Sequence, residues 1–231
     1  MELQPDLLPD DENTEPRCAC LLLLDTSSSM SGAAIRELNE GYRTFREEVD
    51  SDPLARKRVE AAVITFGGSA SVAQPFTEAR YLADQAFSTN GATPMAQALL
   101  MATQMLDDRK RMYRDAQLDY FRPWLIVITD GQPTDRGQWP EAVNRVTAME
   151  AANGVSIIPI GVKGADMSTL GELSRKRQPL MLSGLKFAEF FSWLSRSLSA
   201  VSQSATHVSS DSGLGGASQV KVPPVDGWAS I

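Results

Sequence analysis

Apolar residues follow two rhythms along this chain. Unbroken runs, the leucines at 21–24 and Trp124-Leu125-Ile126-Val127-Ile128, have the length and composition of strands buried on both faces, and 59–66 and 155–160 add two more. Between the runs, apolar positions recur every three or four residues, the period of one helix face. Three such stripes are Ile35, Leu38, Tyr42, Phe45 and Val49; Met95, Ala98, Leu99, Ala102, Met105 and Leu106; and Phe187, Phe190, Phe191, Leu194, Leu198 and Val201. A further helix over 140–153 ends at Gly154, and Pro94 suits the first turn of the helix that begins near Met95. Gly67-Gly68 predicts a hairpin into a strand over 71–76, which Pro75 confines to a sheet edge. Smaller elements are a short helix over 81–87, another running from an Asp166 cap to Arg175, and an edge strand at 180–182. Strands that alternate with helices imply an α/β, doubly wound fold with a mostly parallel sheet covered on both faces.

Composition sets the limits of that domain. A chain of 231 residues with 42% hydrophobic content suffices for one large core, expected over 17–203. Residues 1–16 hold Glu2, Asp6, Asp10, Asp11, Glu12 and Glu15, with Pro5, Pro9 and Pro16 and no Lys or Arg, which predicts an acidic mobile arm. Residues 204–231 turn to Ser, Gly and Pro and predict a linker-like tail in which Trp228 is able to dock. The net charge of -7 therefore sits mainly in the arm, and a near-neutral body gives no electrostatic ground for binding nucleic acid or an anionic membrane. No stretch approaches the ~20 apolar residues of a bilayer span, and no signal-peptide pattern opens the sequence, so a cytoplasmic location is expected. Cys18 and Cys20 fall on one face of the first strand and are expected to pack as small apolar groups. With His207 the sole histidine, they are too few for a structural zinc site.

The chemistry lies where the runs stop. The leucines end on Asp25-Thr26-Ser27-Ser28-Ser29, and the run at 124–129 ends on Asp130-Gly131. In open α/β sheets the carboxyl ends of the strands form the ligand-binding edge. Carboxylates ending two adjacent strands lie about 5 Å apart and repel, and a divalent cation removes the repulsion. The hydroxyls of Ser27, Ser29 and Thr93, the last on a loop bent by Gly91 and Pro94, are hard oxygen donors suited to complete the shell. With three hydroxyls bound directly and Asp25 and Asp130 acting through water, one octahedral position stays open and much of the ion's charge persists. The expected metal set is Asp25, Ser27, Ser29, Thr93 and Asp130, the expected ion Mg²⁺ with Mn²⁺ or Ca²⁺ as alternatives, and the expected activity capture of a partner protein's Asp or Glu without turnover.

Each of these residues alone has a plainer reading: Ser27 or Ser29 as an N-cap near Ala33, Thr93 as a cap, Asp25 as a loop cap, Asp130-Gly131 as a turn. Their combination favours a metal. A phosphoesterase with Asp25 as nucleophile is the enzymatic alternative, but Ser27 stands where such sites place a second carboxylate. The Gly-x-Ser-x-Gly, P-loop and Gly-x-Gly-x-x-Gly patterns are also missing. A scaffold with a purely structural metal is the third possibility, realised if a carboxylate of the chain's own, such as one from the acidic arm, fills the sixth position.

Asp25-Thr26-Ser27-Ser28-Ser29, Thr93 and Thr129-Asp130-Gly131 together resemble the metal-ion-dependent adhesion site of von Willebrand factor A (VWA) domains. Stretches 21–30, 63–66, 91–94, 129–135 and 190–195 further resemble the TerY-type VWA proteins of bacterial tellurite-resistance and stress-response operons. The resemblance implies a Rossmann-like, six-stranded sheet of order 3-2-1-4-5-6 with strand 3 antiparallel, and a Mg²⁺-type site for protein partners. A protein kinase and a PP2C-type phosphatase are partners by analogy with relatives. Ser28 departs from the glycine common in the family, and this sequence lacks the zinc-binding C-terminal module of some relatives.

Overall fold

A computed structural model describes residues 13–203 and 227–230. Strands β1 (Cys18–Asp25), β2 (Val59–Gly67), β3 (Ser69–Glu78), β4 (Trp124–Thr129), β5 (Ser156–Gly161), β6 (Leu180–Leu182) and β7 (Ala229–Ser230) form one sheet of order β3-β2-β1-β4-β5-β6-β7. The six-stranded order 3-2-1-4-5-6 is present as expected, with β3 antiparallel to β2, and β7 adds a seventh strand antiparallel to β6. The helices are α1 (Ala33–Ser51), α2 (Ala55–Arg58), α3 (Met95–Asp115), α4 (Trp139–Ala151), α5 (Met167–Gly171) and α6 (Phe187–Gln203). Among the described residues, no helix is long and apolar enough to cross a membrane.

Period-two alternation along β1 divides the core. Cys18, Cys20, Leu22 and Leu24 pack with α1 and α6, whereas Ala19, Leu21 and Leu23 pack with α3 and α4. Both faces of β1 are thus dry, which is why its sequence shows a run of leucines and not an alternation. Cys18 and Cys20 are buried free thiols, as expected, and burial, reinforced by Glu60, pushes the Cys18 thiol up to about 12. The hairpin strand β3 is longer than the sequence predicts, and its ladder slips between Ala61 and Val63, opposite Pro75, where an N–H is missing.

The helix predicted over 81–87 does not form. A single 3-10 turn at Ala79–Tyr81 gives way to irregular chain, because the Asn39 side chain offers that segment a strand-like pair of bonds. Asn39 Nδ2 donates to Phe87 O (3.0 Å), and Phe87 N donates to Asn39 Oδ1 (2.7 Å). Phe87 then stacks edge-on to Tyr42 at 5.2 Å, and Leu82 is also buried. Asp166 caps α5 as expected, through Ser168 N and Thr169 N, although α5 stops at Gly171.

The segment read as a linker-like tail rejoins the domain at its end, where Trp228 is buried and β7 pairs with β6. The arm also ends in contact. Asn13 donates to Lys57 O and Glu78, and Glu15 pairs with Arg58 at 2.6 Å. Residues 1–12, 204–226 and Ile231 lie outside the described part.

Candidate metal centre

Register builds the crevice. Leu24 pairs with Ile128, so the next residues, Asp25 and Thr129, are neighbours at the carboxyl edge and on the same face as Leu23 and Val127. Thr129 Oγ1 donates to Asp25 Oδ2 at 2.5 Å and accepts from Gly131 N at 3.0 Å. This refines the expectation that the two carboxylates face each other across adjacent strands: a hydroxyl stands beside Asp25, and Asp130 lies one residue past β4. Ser27 N donates to the other Asp25 oxygen, Oδ1, at 2.8 Å.

Past the strand end, the chain makes one 3-10 turn at Ser28–Met30, which turns Ser29 back toward β4. Ser29 Oγ donates to Asp130 Oδ1 (2.7 Å) and lies 3.0 Å from Ser27 Oγ. Four of the sequence-predicted residues are therefore joined: Asp25 to Ser27 through the backbone, and Ser27 to Ser29 to Asp130 through side chains. Thr93 enters from the third loop. A Cβ placed on Gly131 would lie 3.6 Å from Thr93 Oγ1 and 4.0 Å from Asp25 Oδ2, so both oxygens line the space above Gly131. Asp25 and Ser27 are buried, Thr93 is 6% exposed, Asp130 is half-buried, and Ser29 opens to solvent.

Backbone contacts hold the three loops in position. Thr26 N donates to Phe66 O, Asn90 N to Thr26 O, Ser28 N to Gly91 O and Gly68 N to Ala92 O. Gly67 permits this packing, since a Cβ there would fall 2.2 Å from Thr26 O. Ser28 points into solvent, so its departure from glycine places a side chain on the rim without disturbing the floor.

Two contributors had no individual role in the sequence reading. Thr129 orients Asp25, and its only sequence signal is its place as the last residue of the apolar run. Asp135 accepts from Ala96 N (3.1 Å) and Gln97 N (2.8 Å), capping α3 from a distance, while Thr134 N donates to Thr93 O (2.9 Å). The loop that starts at Asp130 thereby fixes the height of Thr93.

The electrostatics are one-sided. Burial raises the Asp25 pKa; bonds from Ser27 and Thr129 work against that, and the Asp130 charge adds to it. Among the described residues, no Lys or Arg pairs with Asp25 or Asp130. The donors are two carboxylates and three hydroxyls, all hard oxygens, in a pocket deficient in positive charge, and this set fits a divalent cation of the Mg²⁺, Mn²⁺ or Ca²⁺ kind.

Fold and crevice together define a doubly wound α/β domain with an oxygen-lined crevice at the carboxyl edge of its sheet, and the comparison with known families agrees. Residues 21–189 match the von Willebrand factor type A domain, and the chain belongs to that family, whose members commonly carry a metal-ion-dependent adhesion site. No match emerges among curated proteins. Solved structures share the fold at low identity. The pilus adhesin SpaC from Lactobacillus rhamnosus GG is 12% identical (TM-score 0.66) over 81% of this chain and 31% of its own. A von Willebrand factor type A protein from Catenulispora acidiphila is 15% identical (TM-score 0.62) over 80% and 43%. Proximal thread matrix protein 1 from the mussel byssus, solved with a zinc-occupied adhesion motif, is 17% identical (TM-score 0.51) over 80% and 48%. This chain spans less than half the length of each.

Proposed function

We propose that this protein is a non-enzymatic binding module. Asp25, Ser27, Ser29, Thr93 and Asp130 hold a divalent cation, Mg²⁺ by preference, and present it to an Asp or Glu of a partner protein. The observation that carries the reading is the convergence of two carboxylates and three hydroxyls on one crevice without a basic counter-charge among the described residues. A bound cation supplies a Lewis-acidic position that an outside carboxylate can occupy. The chain's own part is to orient oxygens. Thr129 and Ser27 N fix both Asp25 oxygens, Ser29 holds Asp130, and Thr134 N holds the Thr93 carbonyl while Asp135 caps the helix that follows it. The zinc in the adhesion motif of the mussel protein supports a metal here, while the all-oxygen donor set favours a harder ion.

Asp25 is a poor nucleophile, being buried with both oxygens already accepting hydrogen bonds, which speaks against the phosphoesterase alternative. The resemblance to stress-operon proteins extends the proposal to a cytoplasmic tellurite-resistance or stress-response system, with a protein kinase and a PP2C-type phosphatase as partners.

The test is a pull-down from bacterial lysate with Mg²⁺ and with EDTA, using wild type, Asp25→Ala and Ser27→Ala. Capture should require both metal and intact ligands. Capture that is indifferent to EDTA and to both substitutions would overturn the reading, and phosphoester hydrolysis lost in Asp25→Asn would favour the enzyme.

A further inference from the structure

We propose that the recess between β6 and the start of α6 is a peptide-binding site of the strand-addition kind. Its ligand class is an extended segment bearing one indole between small residues, and its resident occupant is the chain's own segment 227–230. The contacts divide as such sites divide them, with main-chain bonds giving affinity and one pocket giving selectivity. Met181 pairs with Ser230 and Leu182 with Ala229 in antiparallel register, and Ser183 N donates to Trp228 O at 2.7 Å. Lys186 Nζ donates to Gly227 O at 3.1 Å, and Gly227, at φ +72, turns the chain inward just before the indole. The Trp228 ring, 2% exposed, lies 5.2 Å from Phe190 and 5.2 Å from Trp193, which itself sits 6.4 Å from Trp124.

Three features distinguish this docking from ordinary core. Among the described residues it joins the sheet through two residues and on one side only, and β6, which receives it, is held to β5 by two pairs, where β1, β2 and β4 are tied in by longer ladders. Among the described residues, a single large side chain anchors it, with Ala229 packed beside it only in part. Among the described residues, Trp228 Nε1 is buried with no acceptor, so the pocket holds the ring without answering its one polar group. A segment held by one anchor belongs to the part of a fold that opens locally, and its tether through 204–226 keeps it concentrated near the recess. When the segment leaves, Phe190, Trp193 and the β6 edge offer the same ladder and ring pocket to any chain of like sequence. Nothing in this recess belongs to the metal crevice, so the proposal stands apart from the function above.

The test titrates a labelled peptide of sequence 224–231 into the full-length Trp228→Ala chain and into wild type, following fluorescence anisotropy. Saturable binding to Trp228→Ala is expected, with wild type weaker by at least about tenfold because its tethered segment competes. The peptide carrying Ala in place of Trp should not bind. A second measurement does not depend on the variant folding: a protease site placed within 204–226 of the full chain is cut after folding, and the labelled peptide should then replace the released fragment. Equal affinity for the two chains overturns the proposal. So does a cut fragment that never exchanges short of unfolding the domain, which would make β7 a permanent part of the core.

Discussion

The two ends of the central sheet bury the same kinds of groups and treat them in opposite ways. At the end where β1 and β2 begin and β3 finishes, Glu60 and Glu78 are met by cations of the chain itself. Arg109 Nε and Nη2 reach Glu60 Oε2 at 2.8 and 2.7 Å, and the Tyr113 hydroxyl donates to the same oxygen. Arg17 Nε lies 3.2 Å from Glu60 Oε1, an ion pair without hydrogen-bond alignment, and Arg80 pairs with Glu78 at 2.8 Å. At the other end, among the described residues, Asp25 and Asp130 meet only hydroxyls and N–H groups. The first cluster is electrically closed and needs nothing from outside. The second lacks positive charge among the described residues, and with two carboxylates and three hydroxyls converging on one crevice, that lack marks the place where an external cation belongs.

The largest expected effect tests the closed end. Glu60→Ala strands Arg109 and leaves Arg17 with only Glu78 at 3.7 Å as a carboxylate partner, both arginines being almost fully buried, and should lower the unfolding free energy by about 3–5 kcal/mol in urea titrations. Divalent cation should leave this loss unchanged, since the cluster sits at the far edge. A loss within 1 kcal/mol, on the order of an exposed pair, would mean that the cluster is not the closed ion network described.

Next in size is the effect of metal on the open end. With Mg²⁺ at about a hundredfold its dissociation constant, wild type should gain about 2.7 kcal/mol of stability, read as a rise in unfolding midpoint. Asp130→Asn and Ser27→Ala should lose most of that gain while unfolding normally in EDTA. A full gain in both variants would move the cation elsewhere.

Reading function from sequence worked best where chemistry interrupts periodicity. The leucine run that stops at Asp25 and the apolar run that stops at Asp130 announce themselves, because two such runs ending on carboxylates at one sheet edge outweigh the cap or turn that either would make alone. Long stripes such as those of α1 and α6 were equally plain. The residues that hold the site together were hidden. Thr129 matters only once the β1–β4 register sets it beside Asp25, and Asp135 only once its loop folds back onto α3. The segment at 81–87 misled for the same reason: its helical propensity yields to one side chain, Asn39, from a distant helix. Strand β7 has too few residues to show a period, and its place depends on the rings that receive Trp228.

The smallest effect gives the sharpest test of sign, because the open end should respond to pH in a direction that metal reverses. Burial and the Asp130 charge raise the Asp25 pKa above its ordinary 3.8, so the folded state holds a proton that the unfolded chain has released. Stability from this group is then fully present below 3.8 and is lost as pH rises through the folded value. Measured in EDTA as the difference between wild type and Asp25→Asn, whose amide cannot ionise, stability should fall across that window and level off above it. The substitution itself should change stability by no more than about 1 kcal/mol, the range of a typical single hydrogen bond. With saturating Mg²⁺ the same difference should grow with pH, because the cation binds the ionised carboxylate. A slope of one sign under both conditions would show that Asp25 does not face the cation, and the contrast between the two ends of the sheet would then rest on Asp130 alone.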